Sequence, residues 1–172
     1  MLKYPRSTVN IGDFSMNILN TGIEESKRGA IAGGLSKLLA ESYTLYLKTH
    51  KYHWNVVGPM FQNLHLMFEE HYTALALAVD EIAERIRVLG EEAPGSYEEF
   101  LELGHVKGDP AKKIDANTMV ANLLKDHEQV VRTAKDILPI LDGANDEGTN
   151  SLLGARIEFH EKTAWMLKSL IS

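Results

Sequence analysis

The sequence predicts an all-α protein: four long helices in a bundle, with a short extra helix in the long connection between helices 2 and 3. Three observations carry that prediction. Apolar residues recur at steps of three and four through four long stretches, no stretch alternates with the period of two that a strand requires, and Gly-Pro or Gly-rich breaks separate the stretches. A chain of 172 residues with 44% hydrophobic content is long enough for one domain with a single core.

Residues 1–22 contain Pro5, Gly12 and Gly22 and little periodicity, so they read as an N-terminal arm, with the bundle domain over 23–172. The arm's basic residues are only Lys3 and Arg6, opposed by Asp13, which is thin for a segment that grips DNA. The first helix runs from about Glu24 to Asn55, with Ile31, Leu35, Leu38, Ser42, Leu45 and Thr49 along one face. Gly58-Pro59 then breaks it, because proline disfavours helix in the residue before it and suits the start of the next.

The second helix is expected from about Pro59 to Leu89. Its core stripe is Leu64, Phe68, His71, Leu75, Ala78, Val79, Ile82, Ile86 and Leu89, and Gly90 closes it. In the crossover that follows, Ser96 and Glu99 form a capping box for a short helix carrying Phe100 and Leu101. The third helix, about Ala116 to Leu141, buries Val120, Leu124, His127, Val131, Ala134, Leu138 and Leu141, with Pro139 weakening its last turn. Asp146 caps the fourth, which runs to about Ile171 with Leu152, Leu153, Arg156, Phe159, Thr163, Met166 and Leu170 on one side. Short 1–2 and 3–4 connections with one long crossover make this a ferritin-like four-helix bundle.

Composition narrows the chemistry. With no cysteine, neither disulfides nor a thiolate metal site can form, so a reducing cytoplasm is the expected setting and any metal must be held by nitrogen and oxygen. No window approaches the roughly 20 apolar residues of a membrane span, and no leader is expected, so the protein is read as soluble. A net charge of −6 argues against binding nucleic acid by bulk electrostatics.

The second helix has a further face. With about 100° per residue and Leu75 as origin, His65, Glu69, Asp80 and Glu84 fall near 80°, 120°, 140° and 180°, beside the core stripe. The same side carries Leu66, Thr73, Ala76, Leu77 and Ala83, small or apolar residues that point to a covering partner. Taken singly, each polar residue is ordinary surface. Together they are symmetric about the Ala74–Leu75 peptide bond. The pair His65 and Glu69 lies about 22 Å along the helix from Asp80 and Glu84, so one chain cannot bring both pairs to one ion. An antiparallel second copy, related by a twofold axis, sets His65 opposite Glu84 and Glu69 opposite Asp80, giving two composite sites. His53, twelve residues before His65 across the Gly58-Pro59 turn, adds a third ligand. Imidazoles and carboxylates with open positions suit Fe(II), with Zn(II), Mn(II) or Co(II) as other occupants.

The segments HWNVVGPMFQNLH and VDEIAERIRVLG resemble the signature of the Dps family, the mini-ferritins that protect bacterial DNA during starvation, and the likeness extends from about residue 25 onward. The resemblance implies an iron ferroxidase centre at the dimer interface, built from His53, His65, Glu69, Asp80 and Glu84, although many members carry aspartate where Glu69 stands. It implies a hollow homododecamer built from twofold dimers, storing ferric mineral, with Fe(II) and hydrogen peroxide as substrates. Trp54 stands where members carry a tryptophan that intercepts stray oxidising equivalents. Asp142, Asp146 and Glu147 stand where members line a threefold iron pore, although Ser151 replaces an aspartate some carry; the same acids also read as a solvated, capped turn. His50, read as a group that could support the ligands, and His71, His127 and His160, read as structural, are left outside the site.

Two rivals remain. One is a nucleoid-associated, DNA-compacting protein whose iron chemistry is secondary. The other is an intrasubunit di-iron protein, which requires Glu-x-x-His motifs on bundle helices; the chain's match, Glu102 with His105, straddles Gly104 in the crossover.

Overall fold

The computed structural model describes residues 19–172, so the expected arm lies almost wholly outside the described part. Five α-helices follow in order: α1 Glu25–Asn55, α2 Phe61–Val88, α3 Tyr97–Leu103, α4 Ala116–Ile137 and α5 Glu147–Leu170, with a 3₁₀ turn at Leu138–Leu141. The bundle helices are therefore α1, α2, α4 and α5, and α3 is the short helix of the crossover.

Side-chain contacts fix the directions. His53 meets His65 and Tyr46 meets Tyr72 between α1 and α2; Lys48 meets Asp126 and Asn122 meets Tyr52 between α1 and α4; His71 meets Phe159 and Arg85 meets Thr149 between α2 and α5. In each pair the indices run in opposite senses, so α1 is antiparallel to α2 and to α4, and α2 runs parallel to α4. Residues 89–115 must then travel back along the bundle, about 42 Å for a helix the length of α2. That long return is the ferritin-like crossover.

Local chemistry sets the helix ends. Gly90 adopts φ +95°, its N–H donates to Arg87 O (3.0 Å), and the Glu91 N–H donates to Ile86 O (3.3 Å), a Schellman closure that a residue with a Cβ would strain. Ser96 and Glu99 complete a reciprocal capping box at α3, and Asp115 caps α4 by accepting from Thr118 N–H at 3.0 Å. Helix α2 begins at Phe61, two residues later than the proline-based expectation, because the Phe61 N–H closes a turn onto Gly58 O at 3.0 Å. Helix α4 stops at Ile137, where Pro139 turns the expected last turn into a 3₁₀ segment.

All six expected core residues of α1 are buried, and so are those of α2 except Val79, which is half-buried. The core side of α4 is broader than the expected stripe, since α1 covers one flank and α5 the other. Met119, Leu123, Val130 and Ile137 are buried, while Leu124, Leu138 and Leu141 are half-buried. In α5 the centre of the buried stripe sits one residue on from the expected line, at Leu153, His160 and Leu167, leaving Phe159, Met166 and Leu170 at its border.

The core holds polar groups as well. A buried ion pair joins Lys48 to Asp126. The crossover is anchored where Tyr52 donates to Asp109, Lys51 donates to Ala111 O (2.9 Å), and the His105 N–H donates to the buried Glu41 carboxylate (2.8 Å). His71, His127 and His160 gather between α2, α4 and α5, with the Nδ1 atoms of His127 and His160 2.8 Å apart, so one ring donates to the other. Burial pushes His71 down to about 4; burial, then the Arg156 charge, pushes His160 down to about 3; His127 is driven well below its ordinary 6.5 by burial and then by His160.

These depressed values make the folded bundle acid-sensitive. The unfolded chain takes up protons near pH 6.5 while the buried rings stay neutral, so stability is lost as pH falls from 6.5 through about 4 for His71. Replacing His71 with Phe removes its share. The urea midpoint of His71→Phe should therefore fall less between pH 6.5 and 4 than that of the parent, by roughly 1–3 kcal/mol in unfolding free energy. Parallel pH profiles would show that His71 is not held neutral.

Candidate metal centre

The turn between α1 and α2 brings two histidines face to face. Gly58 takes φ +107°, a conformation that favours glycine, and the reversal places the last turn of α1 beside the second turn of α2. His53 Nδ1 lies 2.9 Å from His65 O, and His65 Nδ1 lies 3.0 Å from His53 O. A carbonyl oxygen can only accept, so each Nδ1 carries the proton and donates. Each Nε2 therefore keeps its lone pair, the tautomer a metal-binding imidazole requires. The rings stack at 3.8 Å between centroids and 20° between planes.

Aromatic rings hold this pair in place. Phe61 stacks on His65 at 5.1 Å, and Tyr72 meets His53 edge-on at 5.2 Å. Behind them, His50 is sandwiched between Trp54 at 4.0 Å and Tyr72 at 4.1 Å. His50 is lowered from its ordinary value, first by burial and then by the neighbouring His53. Trp54 itself is 61% exposed. Sequence reasoning left His50 aside and passed over Phe61 and Tyr72; the signal for Tyr72 was its place seven residues after His65, two turns along the same helix face.

The acids are placed differently. Glu69, Asp80 and Glu84 are exposed on α2, and among the described residues no group of three or more His, Asp or Glu side chains converges on one point. The structure thus brings His53 and His65 together and leaves Asp80 and Glu84 several turns further along the helix. Between the two pairs, Leu66 and Leu77 are 50% and 66% exposed, and Thr73 and Ala76 are exposed beside them. An exposed apolar strip thus separates the two imidazoles from the two carboxylates, and a strip of this kind marks an interaction surface.

The three acids near the start of α5 separate into two kinds. Asp142 and Glu147 are exposed. Asp146 is buried: one carboxylate oxygen accepts from Arg85 and from the Thr149 N–H (2.9 Å), and the other accepts from the Thr149 hydroxyl (2.6 Å). Both oxygens are engaged, so Asp146 serves as a helix cap and as the ion-pair partner of Arg85. The capping expectation holds for that residue.

A ferritin-like domain model matches residues 32–172. The chain is 44% identical over 154 residues to an uncharacterised low temperature-induced protein of Nostoc, covering 89% of this chain and 86% of that protein. It is 37% identical to DNA protection during starvation protein 2 of Bacillus anthracis, covering 80% of this chain and 94% of that protein. The crystal structure of a Dps protein from Vibrio cholerae O1, described as a member of a broad superfamily of ferritin-like diiron-carboxylate proteins, superposes with a TM-score of 0.85 at 32% identity, covering 93% of this chain and all of that one.

The Arg85–Asp146 pair gives a direct test of the capping and ion-pair role. Arg85→Ala strands a buried carboxylate and should cost about 3–5 kcal/mol, read from urea unfolding. Adding Asp146→Asn, which keeps a capping oxygen without the charge, should recover part of that loss. An Arg85→Ala protein as stable as the parent would return Asp146 to the pore acids.

Proposed function

Starting from the fact that this chain belongs to the Dps family of ferritin-like proteins, we propose that it is a ferroxidase that oxidises Fe(II) with hydrogen peroxide and stores Fe(III) inside a hollow homododecamer. The observation that carries the reading is the reciprocal hydrogen bonding of His53 and His65, which leaves two Nε2 lone pairs at one mouth of α2. Iron is substrate and cargo here.

The chemistry follows from what the chain supplies. Neutral imidazole nitrogens bind Fe(II), and the carboxylates of Asp80 and Glu84 from a second copy, with Glu69, supply hard oxygen ligands that favour Fe(III) as charge builds. Two Fe(II) each give one electron to one hydrogen peroxide, which takes up two protons and leaves as two waters. No hydroxyl radical forms in that balance, so removing both reactants protects DNA, the role that the Bacillus anthracis protein's name carries. The tautomers of His53 and His65 are fixed by backbone carbonyls, so the ligands need no rearrangement before binding. Asp142 and Glu147 remain as acids able to draw Fe(II) toward the shell. Among the described residues no helix is long and apolar enough to cross a membrane, and the reading places the protein in the cytoplasm.

A DNA-compacting role is the weaker reading, because the net charge of −6 opposes contact with phosphates unless the arm supplies it. A gel shift at low salt that fades steeply as salt rises would favour it.

Complementation between copies tests the ferroxidase reading most sharply. His65→Ala and Asp80→Ala should each lose rapid Fe(II) oxidation in stopped-flow measurements. Co-expressed, they form mixed dimers in which one of the two sites takes His65 from one chain and Asp80 from the other, both intact. Random pairing should then restore about a quarter of wild-type activity. No recovery would place the acids and histidines in separate sites, and unimpaired single variants would remove both residues from the centre.

A further inference from the structure

We propose that the cleft bounded by α1, α4 and the crossover binds a phosphate dianion, free or as a monoester, through Lys107, Lys125 and Arg132. The cleft measures about 340 Å³ and includes no residue of α2, so it is a separate surface from the apolar strip beside the histidine pair. Four cations line it, Lys48, Lys107, Lys125 and Arg132, against the two carboxylates of Asp109 and Asp126. Two positive charges are therefore in excess, in a chain whose net charge is −6. Iron has no part in it, so the site stands apart from the ferroxidase reading.

Both carboxylates are already engaged. Asp126 pairs with the buried Lys48, and the two oxygens of Asp109 accept from the Tyr52 hydroxyl and from the Ala111 N–H (2.8 Å). The other three cations are different: among the described residues Lys107, Lys125 and Arg132 pair with no carboxylate. Two of them are nevertheless held in place. The Lys107 ammonium donates to Leu101 O (2.8 Å) and Gly104 O (2.6 Å), which leaves one N–H of three uncommitted. Arg132 donates two N–H groups to Gln129 Oε1 (3.2 and 3.0 Å), and the Gln129 amide donates to the Thr133 hydroxyl (3.2 Å), so the guanidinium is oriented with donors to spare.

The arrangement selects the class of anion. Lys125, Gln129 and Arg132 follow at steps of four and three, one face of α4, while Lys107 reaches in from the crossover. Donors from two elements suit a tetrahedral anion, whose oxygens point in several directions; the two coplanar oxygens of a carboxylate would leave one cation unanswered. Arginine with lysine is also the pairing that phosphate recognition favours. The cleft is larger than a bare phosphate and has room for the alcohol half of a small monoester. A duplex fits worse, because its phosphates need an open basic surface and the chain as a whole is acidic. The bound anion bridges the crossover to α4, so binding steadies the docking of the long return.

Calorimetric titration of the full-length, metal-free protein at constant ionic strength tests the site. Inorganic phosphate and glycerol 3-phosphate are titrated separately, and saturable binding of one per chain is expected; the tighter of the two identifies the source of the phosphate. Lys125→Gln and Arg132→Gln each remove one exposed charge and should weaken binding about tenfold, with unchanged far-ultraviolet circular dichroism. Lys135→Gln, on the same helix but paired with Glu161 outside the cleft, should bind as the parent does. Saturating probe should also raise the thermal midpoint of the parent and leave that of the Lys125→Gln, Arg132→Gln double variant where it was. Absence of saturable binding for both probes, or an equal loss in all three single variants, would overturn the site. So would retention of a duplex oligonucleotide that the two cleft variants weaken while neither phosphate probe binds, because those cations would then serve nucleic acid.

Discussion

The two hydrogen bonds that His53 and His65 make to each other's backbone carbonyls are the constraint on which the functional half of the molecule depends. They do three things at once. They join the end of α1 to the start of α2, they fix both imidazoles in the Nδ1–H tautomer, and they stack the rings so that neither can swing into solvent. The His53 carbonyl lies in the last turn of α1, where carbonyls lack intrahelical partners, and the His65 carbonyl, in the second turn of α2, accepts the imidazole as a further donor. A structural need of the hairpin and a chemical need of the centre are thus met by the same atoms. The turn that allows it depends on Gly58 at φ +107°, so one backbone conformation precedes all the rest.

Around that point the bundle tolerates polar groups at its centre. Lys48 with Asp126, Arg85 with Asp146, and the three interior histidines are costly to desolvate, and Asp126 is raised from its usual range chiefly by burial despite the lysine beside it. Their placement shows what offsets the cost. Lys48–Asp126 ties α1 to α4, Arg85–Asp146 ties α2 to the start of α5, and the histidines sit where α2, α4 and α5 meet. Apolar side chains slide past one another with little penalty, whereas a buried ion pair or a ring-to-ring hydrogen bond has one acceptable register. In four helices joined by one long crossover, these contacts define how the second helix pair docks on the first.

Much of this was legible in the sequence because periodicity and turn chemistry are local. Ile31 through Thr49 announced the buried face of α1, Gly90 and Ser96 with Glu99 announced their caps, and the Gly58-Pro59 break announced the reversal that brings His53 to His65. What escaped was non-local. The stripe of α5 could not be centred from its own residues, since Phe159 and Met166 are as apolar as Leu153 and Leu167; the neighbours decide which side is covered. Asp146 reads equally as a cap, a pore acid or an ion-pair partner until Arg85, sixty-one positions earlier, is seen beside it. Tyr72 and Phe61 look like ordinary amphipathic helix residues until their rings are found against His53 and His65.

The division of ligands along α2 has a consequence for when chemistry can occur. A chain that gathered histidines and carboxylates on one turn would bind Fe(II) as soon as it folded, before any shell existed to keep the product. Here His65 and the midpoint of the Asp80–Glu84 pair lie about 25 Å apart along α2, and the intervening Leu66 and Leu77 are exposed. On the dimer reading, covering that apolar strip drives association, and the same antiparallel contact carries each acid pair to the opposite histidines. Affinity for iron then rises only with assembly, and by reciprocity bound iron strengthens the contact that created its site. On that reading the free chain is left with two ordered imidazoles and a weaker hold on metal than the dimer.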